Sequence, residues 1–295
     1  MNYHNFYFDE KVTVIEVEDA AIALRKFGQG PPLVFIHGFF VYGYTWRKIL
    51  PALAKRFTCY VIDLPGFGES RYSKETGFTF TAQARRLNKL FKILDIAGRF
   101  SIVAQDTGAS IARISALEKS NTIEKLILIN TEIPHHRPPF IPMYQFLAKL
   151  PGANWTFRTL LKFGFIVRSP LLLNQFFYDK SKLKDKSNLD HYVSPLKKKE
   201  NMFGMLSYLK GIEWKVVDNF SQQHRLIRAD TLLLWGEEDK TFPVKRVASM
   251  QAQFKGHCKL VRIPKACLMP HEERPDEVVA AIMMFLEEKT SHSNA

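Results

Sequence analysis

Short, uniformly apolar runs place the tightest limit on how this chain can fold. Leu33-Val34-Phe35-Ile36, Cys59-Tyr60-Val61-Ile62, Ile102-Val103-Ala104, Leu126-Ile127-Leu128-Ile129 and Leu232-Leu233-Leu234-Trp235 are too short for buried helices and show no polar alternation. Such runs read as strands buried on both faces, which is the pattern of a parallel sheet. Between them the spacing turns helical. In residues 80–96, Ala84, Leu87, Leu90, Phe91 and Leu94 fall on one face. Strands that alternate with helices imply an α/β chain. Its sheet is mostly parallel and covered on both sides, and its site collects at the carboxyl ends of the strands.

The rest of the chain fits around that rhythm. Residues 11–17 and 20–26, joined at Glu18-Asp19, read as an opening antiparallel hairpin. A helix is expected over 45–55, and Leu64-Pro65-Gly66-Phe67-Gly68-Glu69-Ser70 is a Pro/Gly turn. The rhythm stops at 131–140, which is rich in Pro and His. Residues 141–222 carry helical periods, Lys runs and aromatics but no clear buried strand. It resumes at 231–235, with a helix near 244–254, a last strand at 259–263 and a last helix at about 275–288. The polar tail 289–295 is expected to fray.

Composition narrows the class. The 295 residues hold one large domain with an insertion, or two domains, and 46% are hydrophobic, enough for a substantial core. No window of 18 or more apolar residues occurs, so no membrane span is expected. The first ten residues lack the basic-then-apolar layout of a signal peptide. Cys59, Cys258 and Cys267 are odd in number and widely spaced, and read as reduced thiols. These signs together make a cytoplasmic protein the expectation. No Cys/His cluster has zinc spacing, and no metal or cofactor is expected.

The formal charge of +13 is densest in residues 180–186 and in Lys197-Lys198-Lys199. No nucleic-acid motif accompanies these runs, so a solvated basic face is the reading and nucleic acid is not an expected partner. Contact with an anionic surface is the alternative use of that charge, and the aromatic, basic residues 157–168 fit a membrane interface.

Residues 101–112 carry the chemistry. The apolar run Ile102-Val103-Ala104 passes through Gln105-Asp106-Thr107-Gly108 into the helical pattern of Ala109-Ser110-Ile111-Ala112. Small residues stand two positions either side of Asp106. This is the form of a nucleophile elbow, a sharp strand-to-helix turn that presents one side chain above the sheet. An Asp in that position is also an ordinary helix N-cap.

Three further segments bear on the choice: His37-Gly38-Phe39-Phe40, Asp63-Leu64-Pro65-Gly66-Phe67-Gly68-Glu69-Ser70, and Trp235-Gly236-Glu237-Glu238-Asp239-Lys240-Thr241-Phe242-Pro243. With the elbow, and in this order, they resemble the α/β-hydrolase superfamily over essentially the whole chain. The Asp at the elbow is similar to its haloalkane dehalogenase and epoxide hydrolase branch. The resemblance implies an α/β-hydrolase fold: a mostly parallel eight-stranded sheet flanked by helices, with a helical cap inserted after the sixth strand. The core then spans 1–134 and 226–295, and the cap 135–225.

The resemblance also assigns roles. Asp106 attacks a saturated carbon of a small hydrophobic electrophile and forms an alkyl ester. Backbone N–H groups of Phe39 and Thr107 line the oxyanion or halide region. Asp239, or alternatively Glu132, orients a catalytic histidine. That histidine should follow Ile263-Pro264-Lys265-Ala266-Cys267, where this chain has Leu268. His271, three residues on, is a substitute to consider, as are His135 and His136 at the cap entrance. Phe39 and Thr107 also stand where dehalogenases often carry Asn and Trp. Epoxide hydrolases use cap tyrosines as acids, and Tyr144, Tyr178, Tyr192 and Tyr208 are available. Two function classes follow: a hydrolase impaired at its second step, or a non-catalytic protein that binds a small apolar ligand under the cap.

Overall fold

The structure, a computed structural model, describes residues 2–96, 98–119, 121–170, 172–184 and 186–289. Its strands are β1 (Thr13–Val17), β2 (Ala20–Phe27), β3 (Pro32–Ile36), β4 (Thr58–Ile62), β5 (Arg71–Tyr72), β6 (Phe100–Gln105), β7 (Ile123–Ile129), β8 (Asp230–Gly236) and β9 (Cys258–Ile263). They form one sheet in the order β1-β2-β4-β3-β6-β7-β8-β9. The opening hairpin pairs antiparallel, Val17 opposite Ala20, and β2 runs antiparallel to β4. From β4 onward every pair along that order is parallel. The two-residue β5 pairs with β2 and makes a ninth strand. It is too short to leave a periodic trace in the sequence.

Helices α1 (Tyr3–Phe8), α2 (Leu50–Leu53), α3 (Phe80–Ile93) and α4 (Thr107–Glu118) precede the insertion. The insertion between β7 and β8 holds α5 (Phe140–Leu147), α6 (Ala153–Leu160), α7 (Gly164–Val167), α8 (Lys186–Leu196), α9 (Lys199–Lys210) and α10 (Trp214–Gln223). It is called the cap below. The chain closes with α11 (Val247–Gln251), α12 (Pro270–Glu273) and α13 (Pro275–Glu287). The single helix expected at 45–55 is instead a 3-10 turn at Gly43–Trp46 followed by α2. Pro51 lacks an N–H and restarts the helix in its own first turn. The helix near 244–254 is likewise a 3-10 turn at Val244–Arg246 leading into α11. Residues 290–295, expected to fray, lie outside the described residues, as does Asp185 within the basic run.

Two features position the site. The ends of β3, β6, β7 and β8 are fully buried, so the loops that leave them are fixed by the densest part of the core. The cap is seated on that core through glycine. A Cβ on Gly204 of α9 would meet Gly66 Cα at 2.4 Å, and one on Gly66 (φ +87°) would meet Gly204 Cα at 2.7 Å. Bare backbone on both sides lets α9 lie directly on the Pro/Gly turn, and one helical turn later it delivers Tyr208.

Candidate active site

Asp106 has φ 52° and ψ −133°, a conformation strained for any residue with a Cβ. The end of β7 holds it there. The Asp106 N–H donates to the carbonyls of Ile129 and Asn130, both at 3.0 Å, and the Thr131 hydroxyl donates to the Asp106 carbonyl at 2.9 Å. Although Asp106 stands at the N-cap of α4, its side chain makes no capping hydrogen bond. Its Oδ2 accepts the Phe39 N–H at 2.8 Å. Two glycines permit this approach. A Cβ on Gly38 would meet Asp106 Oδ2 at 2.6 Å, and one on Gly108 would meet the His37 carbonyl oxygen at 2.2 Å.

Three buried carboxyl groups gather here. Burial and then Glu132 push the Asp106 carboxyl well above its usual range, with a smaller push from Asp239, against backbone hydrogen bonds from Phe39 and Thr107. Burial raises Asp239 to about 6, opposed by Asn130 and the backbone of Thr241 and Phe242. Asp239 Oδ2 accepts from Asn130 Nδ2 at 2.7 Å, and Oδ1 from the Thr241 N–H at 2.8 Å. Glu132 Oε2 accepts from the hydroxyls of Ser110 (2.7 Å) and Thr131 (2.9 Å). Arg113, fully buried in α4, donates to Ser110 Oγ, Thr131 Oγ1 and the Glu132 carbonyl. It stands 3.9 Å from Glu132 Oε2.

The two acids therefore differ in what they face. Glu132 is absorbed by hydroxyls and a guanidinium on α4. Asp239 borders the loop that carries position 268: the Glu238 N–H donates to the Ala266 carbonyl at 2.9 Å, and the Cys267 thiol to the Glu238 carbonyl at 3.2 Å. Leu268 is buried, and its carbonyl accepts from Gln105 Nε2 at 3.2 Å. The Cys267 N–H donates to Glu273 Oε2 at 2.8 Å.

No described histidine forms a hydrogen bond or ion pair with Asp106. His271, the substitute considered from the sequence, is engaged elsewhere. It is fully buried, its Nε2 shares a proton with Thr45 Oγ1 at 2.7 Å, and its ring lies 4.6 Å from Trp46. The turn α12 that carries it is clamped by Arg47 and Lys48 on Glu272, which holds His271 beneath Thr45. His135 is tied to Asp218 and Ser221, and His136 Nε2 to the Thr241 carbonyl. His37 accepts the Leu64 N–H and donates to the Gly38 carbonyl, and burial lowers it to about 4.

Of the four cap tyrosines, Tyr208 reaches the site. It is fully buried, burial raises it well above its usual range, and Thr107, Glu132 and Asp106 all act on it. Its hydroxyl faces the Thr107 side chain. Tyr192 is engaged by Arg47 and Glu272, and Tyr178 is 46% exposed. Tyr144 lines an apolar cavity of about 270 Å³ together with Phe39, Phe157, Leu161, Met205 and Leu209. Asp106 is not in that wall. Phe39, stacked on Tyr208 at 6.3 Å, belongs to that wall and donates its N–H to Asp106.

Sequence reading missed Gln105, Asn130 and Arg113. Arg113 left a signal, a charge in the middle of a helix whose other residues are uncharged up to Leu117. Asn130 left a weaker one, a polar residue at the end of a buried strand. Gln105 left none.

Comparison with known proteins agrees with this geometry. The model of the α/β-hydrolase fold family matches residues 31–275. Epoxide hydrolase 3 of Xenopus tropicalis is 26% identical over 289 residues, 93% of this chain and 77% of that one. Haloalkane dehalogenase 2 of Mycobacterium bovis is 25% identical over 261 residues, 87% of this chain and 88% of that one. Among solved structures, the ligand-free epoxide hydrolase CorEH superposes with a TM-score of 0.81 at 17% identity, covering 94% and 98% of the two chains. With the family model matched over residues 31–275, most of the chain, the chain belongs to the α/β-hydrolase fold family.

Proposed function

We propose that Asp106 captures a small apolar electrophile, an alkyl halide or an epoxide, as a covalent ester that this chain releases slowly. The observation that carries the reading is Asp106 itself. It is held in a strained elbow, caps no helix, and has Oδ2 on the Phe39 N–H. That leaves Oδ1 to attack a saturated carbon. A new C–O bond forms, and the carbon–halogen bond breaks with its electron pair leaving as halide. For an epoxide the ring C–O bond breaks instead, and the alkoxide takes a proton from a neighbouring acid. Tyr208, whose hydroxyl is acted on by Thr107 and Asp106, is the acid of this scheme.

The second step needs a base to deprotonate water. Position 268 is leucine, and no described imidazole reaches Asp106. A general base contributes about 10²–10⁴-fold, so hydrolysis slows by about that factor while capture proceeds. Incubation with a panel of haloalkanes and epoxides, followed by intact-mass measurement, is expected to give a one-to-one adduct mapped to Asp106. In Leu268→His the adduct should disappear and product accumulate. Absence of any adduct across the panel, in wild type and in Phe39→Ala, would sink the reading.

A second reading has its own observation. The cavity wall is almost wholly apolar and includes Phe39 but not Asp106. That supports reversible binding of an apolar ligand without reaction. Saturable binding with no adduct in either variant favours it.

A further inference from the structure

The apolar surface of this molecule is concentrated in one place. Sixteen large hydrophobic residues are exposed among the described residues, and eight of them lie within residues 140–165. They are Phe140, Met143, Phe146, Leu150, Trp155, Leu160, Phe163 and Phe165. Phe165 is 74% exposed, Trp155 69% and Phe146 64%. A concentration of this kind marks a contact surface, since isolated exposed apolar residues are ordinary.

The arrangement is ordered. Helices α5 and α6 both pack on α9. On α5, Tyr144 lines the cavity and Gln145 bonds to Leu209 and Trp214, while Phe140, Met143 and Phe146, at i, i+3 and i+6, are exposed. On α6, Phe157 lines the cavity, as does Leu161 just beyond the helix, and Trp155 is exposed. Phe140 belongs to both sets, so the exposed patch runs into the mouth of the cavity.

The charge is equally one-sided. Between Glu132 and Asp179 the sequence contains no acidic residue, while Arg137, Lys149, Arg158, Lys162 and Arg168 are basic. Lys149 and Lys162 are exposed beside the aromatics. Exposed Trp and Phe interleaved with Lys, with acid excluded, is the chemistry of an interfacial segment on an anionic bilayer. No helix among the described residues is long and apolar enough to cross a membrane, so the contact is peripheral.

We infer that this face of the cap docks on an anionic lipid surface through Trp155, Phe146, Phe163 and Phe165, with Lys149 and Lys162 on the headgroups. The cavity mouth then opens toward the bilayer, and an apolar ligand passes from lipid to cavity without crossing water. The inference does not depend on whether Asp106 reacts.

Co-sedimentation with phosphatidylcholine vesicles, with and without phosphatidylglycerol, tests it at salt of about 0.05 M and about 0.15 M. The full chain should bind the anionic vesicles, and brominated acyl chains should quench its tryptophan emission. Lys149→Glu with Lys162→Glu should weaken binding about tenfold or more. Trp155→Ser with Phe165→Ser should abolish the quenching while retaining the circular dichroism and Tm of the parent. Three results overturn it: no sedimentation with anionic vesicles at low salt; equal binding by parent and variants, which assigns it to charge elsewhere; or a parent dimer that both pairs of substitutions convert to a monomer, which assigns the patch to a second copy of the chain.

Discussion

Asp106 is held at a cost that its neighbours make visible. Its carboxyl shares a buried space with Glu132 and Asp239, and no imidazolium offsets the charge. The folded protein holds the Asp106 proton more tightly than the unfolded chain does. Stability therefore falls as pH rises from the usual carboxylate range through the raised folded value, and stays reduced above it. Asp106→Asn keeps the shape and removes the charge. It should raise Tm at pH 8 and do little at pH 4, a gain of about 0.5–2 kcal/mol, where each kcal/mol is roughly 2–4 °C at this size. Calorimetry at the two pH values checks this, and a Tm that falls at pH 8 contradicts it. At this scale the sequence was legible where backbone sterics dictate residue type. Small residues around Asp106, and Gly38 opposite it, follow from the tight approach of two loops. The partners of Asp239 and Leu268 were not legible, because Asn130 and Gln105 act through tertiary proximity that no local pattern encodes. The partner of His271 was not legible for a related reason. The proximity of that histidine along the chain to position 268 says nothing about α12, which the Arg47–Glu272 pair turns toward Thr45.

The elements decide what reaches the site. Helix α9 lies on the core through Gly204 and Gly66, and that contact sets the height of Tyr208 above the elbow. Gly204→Ala places a methyl group where backbone now sits, at 2.4 Å from Gly66 Cα. Overpacking of this kind costs about 1–3 kcal/mol. The expected result is a lower Tm and faster hydrogen exchange across α9, with β6 still protected. Unchanged exchange in α9 would mean that the contact does not seat the cap. The parallel strands were read correctly because burial on both faces leaves an unbroken apolar run. The breaks at 43–53 and 244–251 were read as continuous helices because 3-10 turns share much of the helical spacing.

At the scale of the whole molecule, three imidazoles among the described residues are buried in neutral form. Burial lowers His37 to about 4, and His224 and His271 to about 3. The unfolded chain binds protons at these positions from about pH 6.5 downward, whereas the folded chain does not. Stability is therefore lost as pH falls below 6.5, by about 2 kcal/mol per histidine at pH 5. Asp63 and Asp239, raised to about 6, return about 1 kcal/mol each over the same interval, because the folded state takes up their protons first. Asp106 also returns stability over this interval, so a net loss of a few kcal/mol between pH 7 and pH 5, read as a fall in Tm or urea midpoint, is expected in Asp106→Asn, where that contribution is absent. A flat profile would contradict the buried neutral state of these rings.

The loop at 264–273 carries a consequence of another kind. The Leu268 carbonyl is held by Gln105, the Cys267 N–H by Glu273, and α12 by Arg47 and Lys48. None of these contacts uses the side chain at 268. The backbone there keeps its course whatever that side chain is, and the cost of changing Leu268 falls on packing alone, because the side chain is buried in the apolar core. A substitution at 268 therefore trades stability without moving the loop.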